Sequence, residues 1–175
     1  MRAPPPLAGD GSVRANWSWV TPSLLIGGEV GADEWPALAA QGLRAAVDLR
    51  DEACDDADAL AALGIAHLHL PTPDHQAPSP EALDRGVAFV REVDGPVLVH
   101  CREGVGRSST LALCVLADGG AAPLDALRRA KDARWQVSPS PKQFEAWAAW
   151  LRRRGVAPPG FQAFAQIAYR HVQPS

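Results

Sequence analysis

Short apolar runs closed off by Gly, Pro or Asp alternate along this chain with longer stretches of helical periodicity, the pattern of a layered α/β domain. The apolar runs predict strands over residues 24–26, 45–49, 66–70 and 97–100, and the stretches between them predict helices over 32–41, 55–63 and 80–92. The run Pro96-Val-Leu-Val-His100 is apolar on both faces, so its strand belongs in the middle of a mostly parallel sheet with helices on either side. The second half reads as four helices, over 107–118, 123–134, 141–154 and 161–170. In the third of these, Phe144, Trp147, Ala148 and Leu151 recur at i, i+3, i+4 and i+7, which makes one buried stripe. The break Gly155-Val-Ala-Pro-Pro-Gly160 allows the last helix to fold back onto the body or to hang free.

Residues 1–14 are rich in Pro and Gly, lack the apolar core of a signal peptide and read as a flexible tail. A globular body over 15–154 and a helical extension over 155–175 complete the organisation. The longest clean apolar run, 111–117, is far short of the roughly 20 residues that a bilayer span needs. No repeat of solenoid type is present.

At 175 residues the chain can bury a real core without disulfide staples. Its cysteines, Cys54, Cys101 and Cys114, are too few and odd in number for a disulfide framework. A reducing, cytoplasmic setting or a reactive thiol is implied instead. The net charge of −3 argues against a nucleic-acid partner. Residues 29–60 hold nine acids against two bases, and residues 121–154 hold eight bases against three acids. Both segments read as solvated faces of opposite sign.

The stretch Val99-His-Cys101-Arg-Glu-Gly104-Val-Gly106-Arg107-Ser108-Ser-Thr110 carries the chemistry. A cysteine leaves a buried strand, a five-residue loop with two glycines follows, and Arg107 opens a helix. Glycines at 104 and 106 let successive N–H groups of residues 102–106 turn inward, and the helix N-terminus adds partial positive charge. Such a nest binds a phosphoryl dianion and favours the thiolate of a cysteine placed in it. The planar fork of Arg107 suits two phosphoryl oxygens. Breaking a phosphate ester also needs an acid, and Asp74, in Pro71-Thr-Pro-Asp74-His-Gln, follows a strand end where it can hang over the same sheet edge. Ser108 sits in the first helical turn with its hydroxyl facing the thiolate. Arg102 and Glu103 rim the pocket.

His-Cys-x-x-Gly-x-x-Arg-Ser resembles the signature of the cysteine-dependent protein tyrosine phosphatase superfamily, and 101–109 is most similar to its dual-specificity branch. The similarity runs from about Trp17 to Leu151. The resemblance implies a three-layer sheet-and-helix fold and a catalytic domain over 15–154. It also implies a two-step reaction without metal or cofactor, in which Cys101 attacks phosphorus, Arg107 holds the phosphoryl group and Asp74 protonates the leaving oxygen. Ser108 eases sulfur's departure and His100 fixes the thiolate's surroundings. The expected substrate is a phosphoprotein or phosphopeptide, bound by a monomer with no membrane partner. Where many members of the branch carry an Asn that steadies the signature loop, this chain has Ser138-Pro-Ser-Pro-Lys-Gln-Phe144, with Ser140 as its replacement.

Other readings attach to the same residues. A phosphoinositide or RNA 5′-phosphate could be the substrate. Sulfur transfer also uses a loop-borne cysteine, and a silent phospho-residue binder would keep the nest. Cys54 lies among acids that disfavour a thiolate, and Cys114 falls on an apolar helix face, where packing explains it. His67 and His69 share one face of a strand but lack a third metal ligand in the sequence nearby. Asp48 and Asp51 are weaker candidates than Asp74 for the acid.

Overall fold

The computed structural model describes residues 15–172, so the segment read as a tail lies outside the described residues. Five strands form one sheet: β1 (Trp17–Thr21), β2 (Leu24–Gly27), β3 (Ala45–Arg50), β4 (Ala66–Thr72) and β5 (Val97–His100). Their order is β1-β2-β5-β3-β4, with β1 antiparallel to β2 and the other neighbours parallel. Strand β5 is fully buried at the centre, as its unbroken apolar run requires.

The helices are α1 (Trp35–Ala40), α2 (Ala57–Ala62), α3 (Pro80–Glu92), α4 (Arg107–Asp118), α5 (Pro123–Ala133), α6 (Pro141–Arg153) and α7 (Phe161–Ala168), followed by a 3-10 turn at Arg170–Val172. On one face of the sheet, α1 and α2 enclose a core of Trp17, Leu25, Val30, Trp35, Leu38, Leu60 and Leu98. On the other, α3 to α7 pack a larger core around Val99, Leu111, Trp147 and Phe164. Among the described residues no helix is long and apolar enough to cross a membrane.

Helices α3 and α4 have the expected bounds, whereas α1 begins only at Trp35, after a turn in which Glu34 N–H donates to the Gly31 carbonyl. Strand β1 is absent from the strands predicted above. It spans five residues, of which only Trp17 is buried, so its pattern barely alternates. Helix α7 folds back: Phe164 and Ala168 are fully buried, and the Phe164 ring lies 4.7 Å from that of Phe144 and 6.2 Å from that of Trp147.

The two charged segments are not simply solvated faces. In the acidic one, Asp48 is buried and takes Arg50 Nε and Nη2 on its two oxygens at 3.0 and 2.9 Å. In the basic one, Lys131 and Arg134 are buried. Lys131 Nζ donates to the carbonyls of Trp135 and Val137 at 2.6 and 2.9 Å and meets His171 Nδ1 at 2.7 Å. Local charge counts misread these residues because each is hydrogen-bonded inside the fold instead of facing water.

Candidate active site

Strand β5 delivers Cys101 to the carboxyl edge of the sheet, where its N–H donates to the Gly27 carbonyl at 3.3 Å. The loop 102–106 then closes over β2, with Glu29 N–H donating to the Arg102 carbonyl at 2.8 Å. Gly104 is required where it stands: its φ is +71°, and a Cβ there would lie 2.5 Å from Arg134 Nη2 and 2.6 Å from the Gly27 carbonyl carbon. Gly106 caps α4 without a side chain, so the first N–H groups of that helix are left for another acceptor.

Cys101 is 3% exposed at the floor of a cavity of about 110 Å³ that Asp74, His75, Glu103, Val105, Arg107, Ser138, Ser140 and Gln143 also line. Its Sγ is 3.3 Å from Ser108 Oγ and takes the Gly104 N–H at 3.3 Å. Glu103 lines the cavity as expected, but Arg102 is exposed and does not line it: its carbonyl is tied down to Glu29 N–H. His100 is fully buried behind the cysteine, with Nδ1 at 3.4 Å from the Cys101 carbonyl and Nε2 at 2.6 Å from Asp55 Oδ2. Burial alone would raise the Asp55 pKa, but hydrogen bonds from His100 and His67 outweigh it and hold that carboxyl well below the usual carboxylate range.

Arg107 is clamped from behind. Its Nη1 donates to Glu52 Oε2 at 2.9 Å and to the Thr72 carbonyl at 2.8 Å, and its Nη2 donates to Glu52 Oε1 at 2.8 Å. A guanidinium has five N–H groups, so this pattern leaves Nε–H and the second Nη2–H, the edge that can take two oxygens of a phosphoryl group. The Arg107 hydrogen bond lowers the Glu52 pKa from 4.5 to about 2. Sequence reasoning missed Glu52, which stands two positions after Arg50 in a run read only as acidic surface.

Asp74 reaches the same guanidinium, with Oδ1 3.4 Å from Nη2, and it is about half exposed. The loop that carries it is strained at His75, whose φ of +64° is the one positive value at a non-glycine residue among the described residues. Gln143 ties this loop down, with Nε2 donating to the Gln76 carbonyl at 3.0 Å, while its Oε1 accepts the Ser140 N–H at 2.8 Å.

Support of the signature loop differs from the expectation placed on Ser140. The Ser140 hydroxyl caps α6 by accepting the Gln143 N–H at 3.2 Å. The loop is held instead by Arg134, whose Nε and Nη2 donate to the carbonyls of Gly104 and Glu103 at 2.9 Å each, and by Ser138 N–H, which donates to the Val105 carbonyl at 3.0 Å. No motif marks Arg134; it closes a basic run at the end of α5.

Cys114 is fully buried in the core, and burial pushes its thiol pKa well up. Burial and the nearby Asp48 and Asp55 raise that of Cys54. The fold does bring Cys54 and Asp48 to His69, a group of three that leaves out His67. Both Asp48 oxygens already take Arg50, however, and a divalent ion there would have to displace a guanidinium.

The profile of the DSP-PTPase phosphatases of polymorphic toxin systems, Tc-R-P, matches residues 26–121. No curated protein sequence matches the chain significantly. Among solved structures, Tk-PTP in its active form is similar at 25% identity with a TM-score of 0.73, covering 79% of this chain and 97% of that one. Human DUSP28 is similar at 24% identity and a TM-score of 0.69, over 82% of this chain and 98% of its own. PTPMT1 in complex with PI(5)P shares the fold at 21% identity and a TM-score of 0.73, over 78% of this chain and 95% of its own. The profile covers more than half of the chain and includes the whole loop from Cys101 to Arg107, and on that match the chain belongs to the DSP-PTPase phosphatase family of polymorphic toxin systems, cysteine-dependent enzymes of the dual-specificity branch of the protein tyrosine phosphatase superfamily.

Proposed function

We propose that this phosphatase removes phosphate from phosphotyrosine in proteins, and from phosphoserine or phosphothreonine where these reach the cavity floor, through a phosphocysteine intermediate. The Cys101 sulfur attacks phosphorus as the ester P–O bond breaks, and Asp74 gives its proton to the departing oxygen. Water then attacks the phosphocysteine, Asp74 takes the water's proton, and the P–S bond breaks to return the thiolate with Ser108 donating to it. The free edge of Arg107 and the loop amides follow the phosphoryl oxygens through both steps. No metal or cofactor enters these steps.

The observation that carries the reading is the convergence on one small cavity of Cys101 Sγ, with Ser108 Oγ and Gly104 N–H each at 3.3 Å, the open edge of Arg107, and Asp74. A protein substrate is favoured by the cavity's charge. Its wall holds Asp74 and Glu103 besides Arg107, and among the described residues no further Lys or Arg lines it to hold extra phosphates of an inositol headgroup. Three free thiols suit a reducing, cytoplasmic setting.

The test is a turnover panel on phosphopeptides, phosphoinositides, 5′-phosphorylated RNA and thiosulfate, with Cys101→Ser and Asp74→Ala alongside the wild type. Phosphopeptides should turn over fastest and Cys101→Ser should release no phosphate while still binding phosphopeptide. Asp74→Ala should slow a phosphopeptide by about 10² to 10⁴ and an activated aryl phosphate far less. Faster turnover of phosphoinositide or RNA would reassign the substrate. Phosphate release by Cys101→Ser, or equal slowing of both leaving groups by Asp74→Ala, would overturn the mechanism.

A further inference from the structure

Arg134 is 3% exposed and lies outside the Cys101–Arg107 loop in sequence, yet it sits directly beneath that loop. Besides the Gly104 and Glu103 carbonyls, its guanidinium donates to Asn16 Oδ1 at 2.6 Å and to Ser18 Oγ at 3.4 Å. All four partners are neutral. Among the described residues no carboxylate lies within ion-pairing distance of it, whereas Arg50 and Arg107, the other buried arginines, each bind carboxylates. A buried charge without a counterion is costly, and proteins keep one where it serves another charge.

The bonds to the loop have a directional consequence. In a trans peptide the carbonyl and the following N–H point opposite ways. Pulling the Glu103 carbonyl down to Arg134 therefore turns the Gly104 N–H up, and that N–H is the one found 3.3 Å from Cys101 Sγ. Pulling the Gly104 carbonyl down turns the Val105 N–H toward the cavity that Val105 lines.

We propose that Arg134 is a positioning residue for phosphoryl transfer: its fork sets two peptide planes of the loop so that their N–H groups face the anion, and its unneutralised buried charge is the counterion of the Cys101 thiolate. This rests on Cys101 being the nucleophile. Burial pulls the guanidinium's pKa below its ordinary value, and the Coulombic interaction with Cys101 partly offsets this.

The test is the pH dependence of iodoacetamide alkylation of Cys101, with the native fold checked by circular dichroism and each modified cysteine assigned by peptide mass spectrometry, because Cys54 is also free and exposed. The informative variant is Asn16→Asp, which keeps the oxygen that Arg134 bonds and places a carboxylate against the guanidinium. If Arg134 serves only packing, that ion pair leaves the sulfur unaffected or tightens the fold. If Arg134 is the thiolate's counterion, the alkylation midpoint moves up by about one pH unit, and alkylation at a fixed pH below it slows about tenfold. Arg134→Met should move the midpoint further, and Arg134→Lys should recover part of the loss. An unchanged midpoint in Asn16→Asp overturns the proposal even if both Arg134 variants fail to fold. Cys101→Ser serves as the blank for alkylation at Cys54 and Cys114; phosphate release by that variant would mean that the nucleophile itself is misassigned, a separate failure.

Discussion

Replacing Glu52 by Gln removes the charge that fixes the Arg107 fork while keeping the side chain's size. Two charge-assisted bonds, at 2.8 and 2.9 Å, join the carboxylate to Nη2 and Nη1. A Gln can accept only one of them and turns an N–H₂ group toward the other. Loss of a hydrogen bond to a charged group costs about 1.5 to 3 kcal/mol, and because the Glu52 side chain is 33% exposed the lower figure applies. The Thr72 carbonyl still holds Nη1 and Asp74 remains 3.4 Å from Nη2, so the guanidinium is loosened and not released. At about 1.4 kcal/mol per decade the expected loss in kcat/KM is about tenfold. Steady-state kinetics on an aryl phosphate and a phosphopeptide, with the melting temperature measured on the same samples, reads it out. Glu52→Asp should recover part of the loss because it keeps the charge. A folded Glu52→Gln enzyme within twofold of wild type on both substrates would refute the view that the carboxylate leaves a single edge of Arg107 open for phosphate.

The same pair sets an acid limit: Glu52 has a folded pKa of about 2 against an ordinary 4.5, so its stabilisation is present above about pH 4.5 and fades as pH falls toward 2. Lys131 has the opposite sign. Burial, with Arg170 nearby, lowers its pKa from 10.5 to about 8, so between those values the unfolded chain binds more protons and stability rises with pH. Urea unfolding from about pH 8 to pH 9.5 should show wild type gaining about 1 kcal/mol relative to Lys131→Met, and parallel curves would contradict this. Phe164→Ala should cost about 3 to 5 kcal/mol of unfolding free energy, since the fully buried ring packs against Phe144 and Trp147. A loss under about 1 kcal/mol would mean that α7 is not part of the core.

What the chain reveals by itself follows from how local each signal is. The loop from Cys101 to Ser108 is contiguous, and its glycines, strand and helix start are all written within a dozen residues. The bounds of α3 and α4 were legible because Pro80 and Arg107 open clear periodic stretches. Residues that act on the loop from elsewhere left no such trace. Glu52 and Asp55 look like acidic surface, and Arg134 looks like the end of a basic helix, until β3, β4 and β5 bring the first two, and α5 the third, against the loop. Ser140 shows the converse: sequence placed it at the loop because its segment aligns with the steadying Asn, but a serine three residues before Gln143 is better used as a helix cap.

The position of β5 bears on how the protein comes to fold. Its neighbours on both sides are distant in sequence, with Leu24 paired to Val97 on one flank and Ala45 paired to the same residue on the other. Neither pairing can form through a hairpin, and each must close a long loop before any ladder bond repays the lost chain entropy. Such topologies fold slowly, leaving the apolar runs of β2 and β3 exposed meanwhile to intermolecular pairing. Refolding yield should therefore fall as protein concentration rises. Because Cys101 is placed only once β2, β3 and β5 are in register, regain of turnover marks the end of folding and not its start.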